Sequence, residues 1–179
     1  MIAPMNDYTY RRALESDLPA ICVLGQVVNL LHHEARPEIF APLSAPERDE
    51  EHWRSTAFSS GSIAFVAECS GQTIAFVTAS VIDENHSLLQ PIRYVRVGSV
   101  CVDEGQRGRG VGRELMQLVE RWATREGASD IRLNVWAFNE SARHLYKELG
   151  YEVRSLFLGK WIVKNGASSS MLNDCDEAV

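Results

Sequence analysis

Residues Gln106-Arg107-Gly108-Arg109-Gly110-Val111-Gly112-Arg113 separate a β-branched run, Tyr94–Val102, from a helical face made of Val111, Leu115, Leu118, Val119 and Trp122. A strand that turns directly into a helix commits the chain to an architecture in which helices pack on a sheet. Glycines in such a loop let the backbone approach a ligand closely and leave the first amides of the helix unpaired. The helix dipole adds ~0.3–1 kcal/mol for an anion at that end, and Arg107, Arg109 and Arg113 bring positive charge to it. The competing reading is a tight turn with solvated arginines. Three arginines this close together, in a chain of formal net charge −6, favour a phosphate cradle instead. Two common cradles are ruled out by single positions. Gly105 and Gly110 have Walker A spacing, but Val111-Gly112 stands where Lys-Ser/Thr is needed. The dinucleotide fingerprint requires a third glycine where Arg113 stands.

Periodicity extends the pattern along the chain. Tyr8–Ala13 reads as a strand, and Asp17 and Pro19 open a helix whose apolar face is Leu18, Ile21, Leu24, Val28 and Leu31. That helix ends near His32–His33, and Pro46–Phe58 reads as a second, mostly polar one. Ile63–Glu68 and Thr73–Ile82 form a hairpin through Cys69-Ser70-Gly71-Gln72, followed by the strand Tyr94–Val102. After the helix that starts at Val111 and ends at Gly127 come a strand, Ile131–Val135, and a helix, Glu140–Leu149. Tyr151–Leu158 and Trp161–Val163 close the chain as strands. The order β-α-α-β-β-β-α-β-α-β-β predicts an α/β fold of α+β type, with a mixed, largely antiparallel central sheet flanked by helices.

A chain of 179 residues, 45% hydrophobic and 23% charged, has material for one domain with a full core. We expect that domain over residues 1–165, with 166–179 as an acidic, serine-containing tail. The balance of 18 Lys+Arg against 24 Asp+Glu argues against non-specific nucleic-acid binding and against anionic membranes. No apolar run approaches the roughly 20 residues of a membrane span, and no secretory signal is visible in Met1–Arg12. Cys22, Cys69, Cys101 and Cys175 stand far apart without zinc-like spacing. These features predict a cytoplasmic protein without a structural metal.

A second motif lies in Asn139-Glu140-Ser141-Ala142-Arg143-His144-Leu145-Tyr146-Lys147. Asn139 suits a helix cap, and Asn139, Ala142 and Tyr146 fall on one helical face, where the small Ala142 leaves room for a ligand. Together, Arg107-x-x-Gly110-x-Gly112 after a strand and Asn139-x-x-Ala142-x-x-x-Tyr146 about 30 residues later resemble the two cofactor motifs of the GCN5-related N-acetyltransferase (GNAT) superfamily. The similarity covers about a third of the chain, Val97–Leu158. It implies acetyl-CoA as acetyl donor and an amine as acceptor. Backbone amides of the loop Arg107, Gly108, Arg109, Gly110, Val111, Gly112 and Arg113 would bind the pyrophosphate. Main-chain groups of Val100 and Val102 would pair with the pantetheine arm, and Asn139 and Ala142 would line it. Tyr146 would be the general acid for the leaving thiolate. Dimerisation is frequent in such folds, and the closing strands or the tail are the segments that could mediate it.

Transfer to an amine requires a neutral nucleophile, and at pH 7 deprotonating a lysine-like amine costs about 4–5 kcal/mol. A base is therefore needed. Many relatives place a glutamate on the strand matching Tyr94–Val102, and this strand, Tyr-Val-Arg-Val-Gly-Ser-Val-Cys-Val, has none. The candidates are His32, His33 and Glu34 at the end of the first helix, since a histidine titrates in the right range. Asp83, Glu84, His86 and Ser99 acting through water are alternatives. Trp136 and Phe138 are candidates for the acceptor pocket wall. The expected activity is acetyl transfer to a primary amine of a small molecule or peptide, and the alternative is a non-catalytic acyl-CoA-binding sensor.

Overall fold

The computed structural model describes residues 7–162. Apolar runs form β1 (Tyr8–Arg12), β2 (Ser62–Cys69), β3 (Gln72–Glu84), β4 (Ile92–Val102) and β5 (Asp130–Arg132), which lie side by side in that order. Neighbouring strands are antiparallel up to β4, and β4 and β5 are parallel, as the crossover through an intervening helix requires. The β2–β3 hairpin turns on Ser70 and Gly71, with φ of 52° and 77°, the left-handed pair that matches the twist of the strands.

Helices α1 (Leu18–Ala35) and α2 (Glu50–Phe58) cover one face of the sheet, and α3 (Val111–Arg125) covers the other. The alternation along β3 decides this division: Phe76 points to Ile21, Leu24 and Trp53, while Ala75 and Val77 point to Leu115, Met116 and Val119. Burying each of these large side chains stabilises the fold by about 1.5–3 kcal/mol. The last helix, α4 (Glu140–Glu148), packs beside the start of α3, where Gly112 allows a close approach to Leu145. The predicted mixed sheet with flanking helices is the fold observed.

Three local expectations change. Asp17 makes no side-chain cap on α1. Its Oδ2 instead accepts from the Leu14 N–H at 2.7 Å, and its carboxylate takes two hydrogen bonds from Arg11 at 2.7 and 2.8 Å. Second, the segment from Pro46 is a 3-10 turn to Asp49 before α2 begins at Glu50. Third, the closing strands are not formed within the described residues: 151–162 contain no strand, and Val163 and the tail 166–179 lie outside the described residues. A strand requires a neighbouring edge, and β5, the edge strand here, stops at Arg132. The segment is tied to β5 by the Arg154–Asp130 ion pair at 2.7 Å, while Leu156, Phe157 and Leu158 remain exposed.

Among the cysteines, Cys22 and Cys101 are buried free thiols, and Cys69 is half-buried. Burial pushes the Cys101 thiol up to about 12. Among the described residues no helix is long and apolar enough to cross a membrane.

The Arg11–Asp17 pair fastens β1 to the entry of α1, and its hydrogen bonds hold the Asp17 carboxyl below its ordinary value of 3.8. A depressed carboxyl stabilises the fold above the unfolded-state pKa and loses that contribution as pH falls through the folded value. Asp17→Asn should therefore cost about 1.5–3 kcal/mol at pH 7. The difference from wild type should shrink as the pH is lowered below 3.8. Denaturation curves at neutral and acidic pH measure both, and a deficit independent of pH would assign the loss to shape rather than charge.

Candidate active site

The site begins with a local irregularity in β4. Val77 pairs with Val100 and Ala79 with Val97, so Gly98 and Ser99 together face Thr78. This is a β-bulge. Buried Thr78 holds it: its Oγ1 accepts from the Ser99 N–H at 3.1 Å. A Cβ on Gly98 would sit 2.7 Å from that hydroxyl, so glycine is required there.

On its other side β4 pairs with β5 only through Tyr94–Asp130, Val95–Ile131 and Arg96–Arg132. Beyond this short ladder β4 has no strand partner on that side among the described residues, and this unpaired edge, residues 97–102, is the notch of the site. The Asp103 N–H bonds to the Ile74 carbonyl at 2.8 Å, which makes Val102 opposite Ala75 a non-hydrogen-bonded pair of the antiparallel ladder. By the same register the main-chain groups of Val100 and Val102 turn away from β3, into the notch.

The glycine-rich loop closes one end of the notch. Gly108 and Gly110 adopt φ of 73° and 83°, and a Cβ at either would meet open space. Gly110 is the N-cap of α3 and supplies no capping side chain, so the first-turn amides of Val111, Gly112 and Arg113 have no side-chain acceptor. The three arginines differ in role. Arg107 Nε donates to the Val102 carbonyl at 3.2 Å and braces the loop on β4. Arg113 pairs with Glu148 of α4. Arg109 is exposed and has no ion-pair partner among the described residues.

Helix α4 completes this side. Asn139 caps it, accepting the Ala142 N–H at 3.1 Å, and Tyr146 packs against the same core cluster as Val100 and Val102. Burial pushes the Tyr146 hydroxyl up to about 12, so it stays protonated at neutral pH. The two motifs, far apart in the chain, therefore meet around one notch.

On the opposite side of the sheet a cavity of about 260 Å³ reaches β4 at Ser99, with His32 and Asn29 of α1, Phe40, and Asp49, His52 and Trp53 from the second helical segment on its walls. Of the three base candidates in sequence, His32 lines this cavity. His33 Nδ1 lies 2.8 Å from the Phe40 carbonyl, and Glu34 is exposed and off the cavity wall. Burial lowers the His32 imidazole from its ordinary 6.5, leaving it neutral at pH 7. Asp83 is engaged with Arg93, and His86 Nδ1 accepts the Leu88 N–H; neither they nor Glu84 line the cavity. Trp136 and Phe138 join His32 and Phe40 in one ring cluster, with centroids 4.7–6.0 Å apart.

Asp49 and His52 fall outside both sequence motifs. Their signal is the spacing Asp49, His52, Trp53, which shares a helical face, opposite Asn29 and His32 at the same i, i+3 spacing on α1. Asp49 accepts from Arg48, from Gln26 at 2.9 Å and from Asn29 at 3.3 Å. Among the described residues no cluster of His, Cys, Asp and Glu is placed to hold a metal ion.

This geometry has known counterparts. An uncharacterized N-acetyltransferase of Methanocaldococcus jannaschii is 30% identical over 99 residues, 55% of this chain and 42% of that protein. The uncharacterized N-acetyltransferase YdgE of Bacillus subtilis is 31% identical over 72 residues, 40% of this chain and 46% of that protein. The matched stretch thus spans less than half the length of either relative. A mutant of the BH1408 protein of Bacillus halodurans superposes with a TM-score of 0.78 at 22% identity, over 87% of this chain and 99% of its own. AAC(6')-Iy, solved with the bisubstrate analog CoA-S-monomethyl-acetylneamine, superposes at 0.64 with 20% identity, over 86% of this chain and 98% of its own. The profile of the Acetyltransferase (GNAT) family matches residues 28–151, a stretch that includes the notch, the glycine loop, α4 and most of the cavity wall. This chain belongs to the Acetyltransferase (GNAT) family.

Proposed function

We propose that this protein is an acetyl-CoA-dependent N-acetyltransferase that moves the acetyl group to a primary amine of a small molecule or peptide, by direct attack through a tetrahedral intermediate. The observation that carries this reading is the meeting of two openings on one stretch of β4: the notch beside Val100 and Val102, and the cavity that ends on Ser99. The donor supplies an activated acyl thioester, and the notch suits it chemically. Uncapped amides at Val111, Gly112 and Arg113, with Arg109 nearby, match a pyrophosphate. The outward main-chain groups of Val100 and Val102 match an extended amide-bearing arm, which Asn139 and Ala142 at the start of α4 would line. Structures of AAC(6')-Iy with CoA support the same donor.

Each remaining task falls to a residue of this chain. Neutral His32 accepts the ammonium proton of an amine in the cavity. A backbone amide near Val100 steadies the developing oxyanion. Tyr146, protonated at neutral pH, gives its proton to the departing thiolate.

Mixing protein, acetyl-CoA and a panel of amines should release free thiol only when an acceptor is present. Tight CoA binding without acceptor-dependent thiol across the panel would instead identify a non-catalytic sensor. Tyr146→Phe should lower turnover about 10²-fold while leaving CoA affinity within about twofold. Unchanged turnover would remove Tyr146 from the mechanism.

A further inference from the structure

Net charge −6 suggests a polycationic acceptor such as a polyamine or an aminoglycoside, but the acceptor cavity is built differently. Asp49 is the carboxylate on its wall, and it is already engaged: Oδ1 accepts from Arg48 Nε at 2.8 Å, and Oδ2 accepts from Arg48, Gln26 and Asn29. Arg48, itself on the wall, cancels its charge. Burial keeps His32 uncharged beside it. No uncompensated carboxylate among the lining residues remains to meet a second or third ammonium group.

Val28, Phe40, Ala41 and Trp53 form the apolar part of the wall, and through His32 and Phe40 the wall adjoins an aromatic cluster that includes Trp136 and Phe138. His32 stacks on Phe40 at 4.7 Å and meets Phe138 edge-on at 5.7 Å. Phe40 meets Trp136 edge-on at 5.1 Å, and Trp136 stacks on Phe138 at 6.0 Å. Three chain segments converge to make this herringbone: the end of α1, the loop after it, and the stretch between β5 and α4. Trp136 keeps 37% of its surface exposed, enough to receive one more flat group. At about 260 Å³ the cavity is smaller than the roughly 300–1,000 Å³ typical of drug-sized ligands. A multi-ring aminoglycoside would project beyond it into solvent, whereas one ring and one amine fit within it.

From these observations, and resting on the acetyltransferase reading above, we infer that the acceptor is a small monoamine bearing one flat aromatic group, with the amine at Ser99 and His32 and the ring against Phe40 and Trp136. The ring adds to an existing aromatic stack, and the single ammonium proton passes to His32 before attack, so the cavity holds one positive charge, on the imidazolium, rather than the two or three of a polycation.

The test compares phenethylamine, butylamine and spermidine as acceptors, by thiol release and by calorimetric binding to CoA-loaded protein. Phenethylamine should exceed spermidine at least tenfold in kcat/KM and in affinity. Trp136→Ala should reduce its kcat/KM about tenfold through KM, leaving butylamine within twofold. Spermidine used or bound as well as phenethylamine would overturn the inference, as would equal losses for both monoamines in Trp136→Ala. Absence of thiol release with every amine would refute the acetyltransferase reading for this panel, and the calorimetric order would still decide between the aromatic and the polycationic acceptor.

Discussion

Replacing His32 with glutamine should lower kcat/KM for an amine acceptor about 10²–10³-fold and remove the acid limb of its pH profile. The reasoning starts from the nucleophile. An ammonium group with a pKa near 10.4 is about 3.4 units from deprotonation at pH 7, worth about 4–5 kcal/mol. The strand position that carries a glutamate in many relatives of this kind holds no carboxylate here, so another group must take the proton. His32 lines the cavity that ends on Ser99, and burial lowers its pKa from 6.5. A base at His32 would therefore be available above its folded pKa and lost as pH falls through it. Wild-type kcat/KM should decline on the acid side at a pH below 6.5, and the variant should lack that inflection. Glutamine preserves approximate volume beside Phe40 and Phe138, which keeps packing and proton transfer separable. A slower variant that retained the acid limb would make His32 a wall residue and return the role of base to water held at Ser99.

Gly25→Ala should destabilise the protein by about 1–3 kcal/mol and raise KM for the acceptor. Two effects oppose each other. In a helix interior, alanine is favoured over glycine by about 1 kcal/mol. At this position, however, a Cβ would lie 2.5–2.6 Å from three atoms of the Trp53 indole. Trp53 is buried, packs edge-on against Phe76 at 5.2 Å and touches His52 at 4.9 Å, so the direction left to it is into the cavity it lines. The clash wins. Because Trp53 also lines the cavity, the displacement should reach the acceptor before it reaches the donor. Chemical denaturation and the separate KM values for amine and acetyl-CoA measure this. A stability gain, or equal changes in both KM values, would show that the α1–α2 contact does not shape the cavity.

The proposed donor half of the site was legible in sequence because its chemistry is backbone chemistry. Gly108 and Gly110 are chosen by φ values that other residues rarely adopt, and a helix start needs only a few adjacent residues to present its amides. Local rules of this kind leave local marks. The same holds for the Ser70-Gly71 turn and the Asn139 cap. The acceptor half was not legible. Asp49, His52 and Phe40 look like ordinary surface residues until α1 and the second helical segment pack together beside Ser99 of β4. Asp49 is paired with its neighbour Arg48, and only the structure shows the distant Gln26 and Asn29 donating to the same carboxylate on the cavity wall.

The closing segment shows the same division from the opposite side. Residues 151–162 carry the alternation of a strand, but pairing depends on an edge provided elsewhere, and β5 ends at Arg132. Sequence by itself determined the sheet-and-helix order, the hairpin, the glycine cradle and the α4 motif, since each depends on interactions within a few residues. Tertiary structure alone decided that the glycine-rich loop's Gly112 and Arg113 meet Leu145 and Glu148 of α4, that of the three candidates His32, His33 and Glu34 only the first lines the cavity, and that His32, Phe40, Trp136 and Phe138 form one ring cluster. Those facts depend on contacts between distant segments, and a linear pattern carries no distance between them.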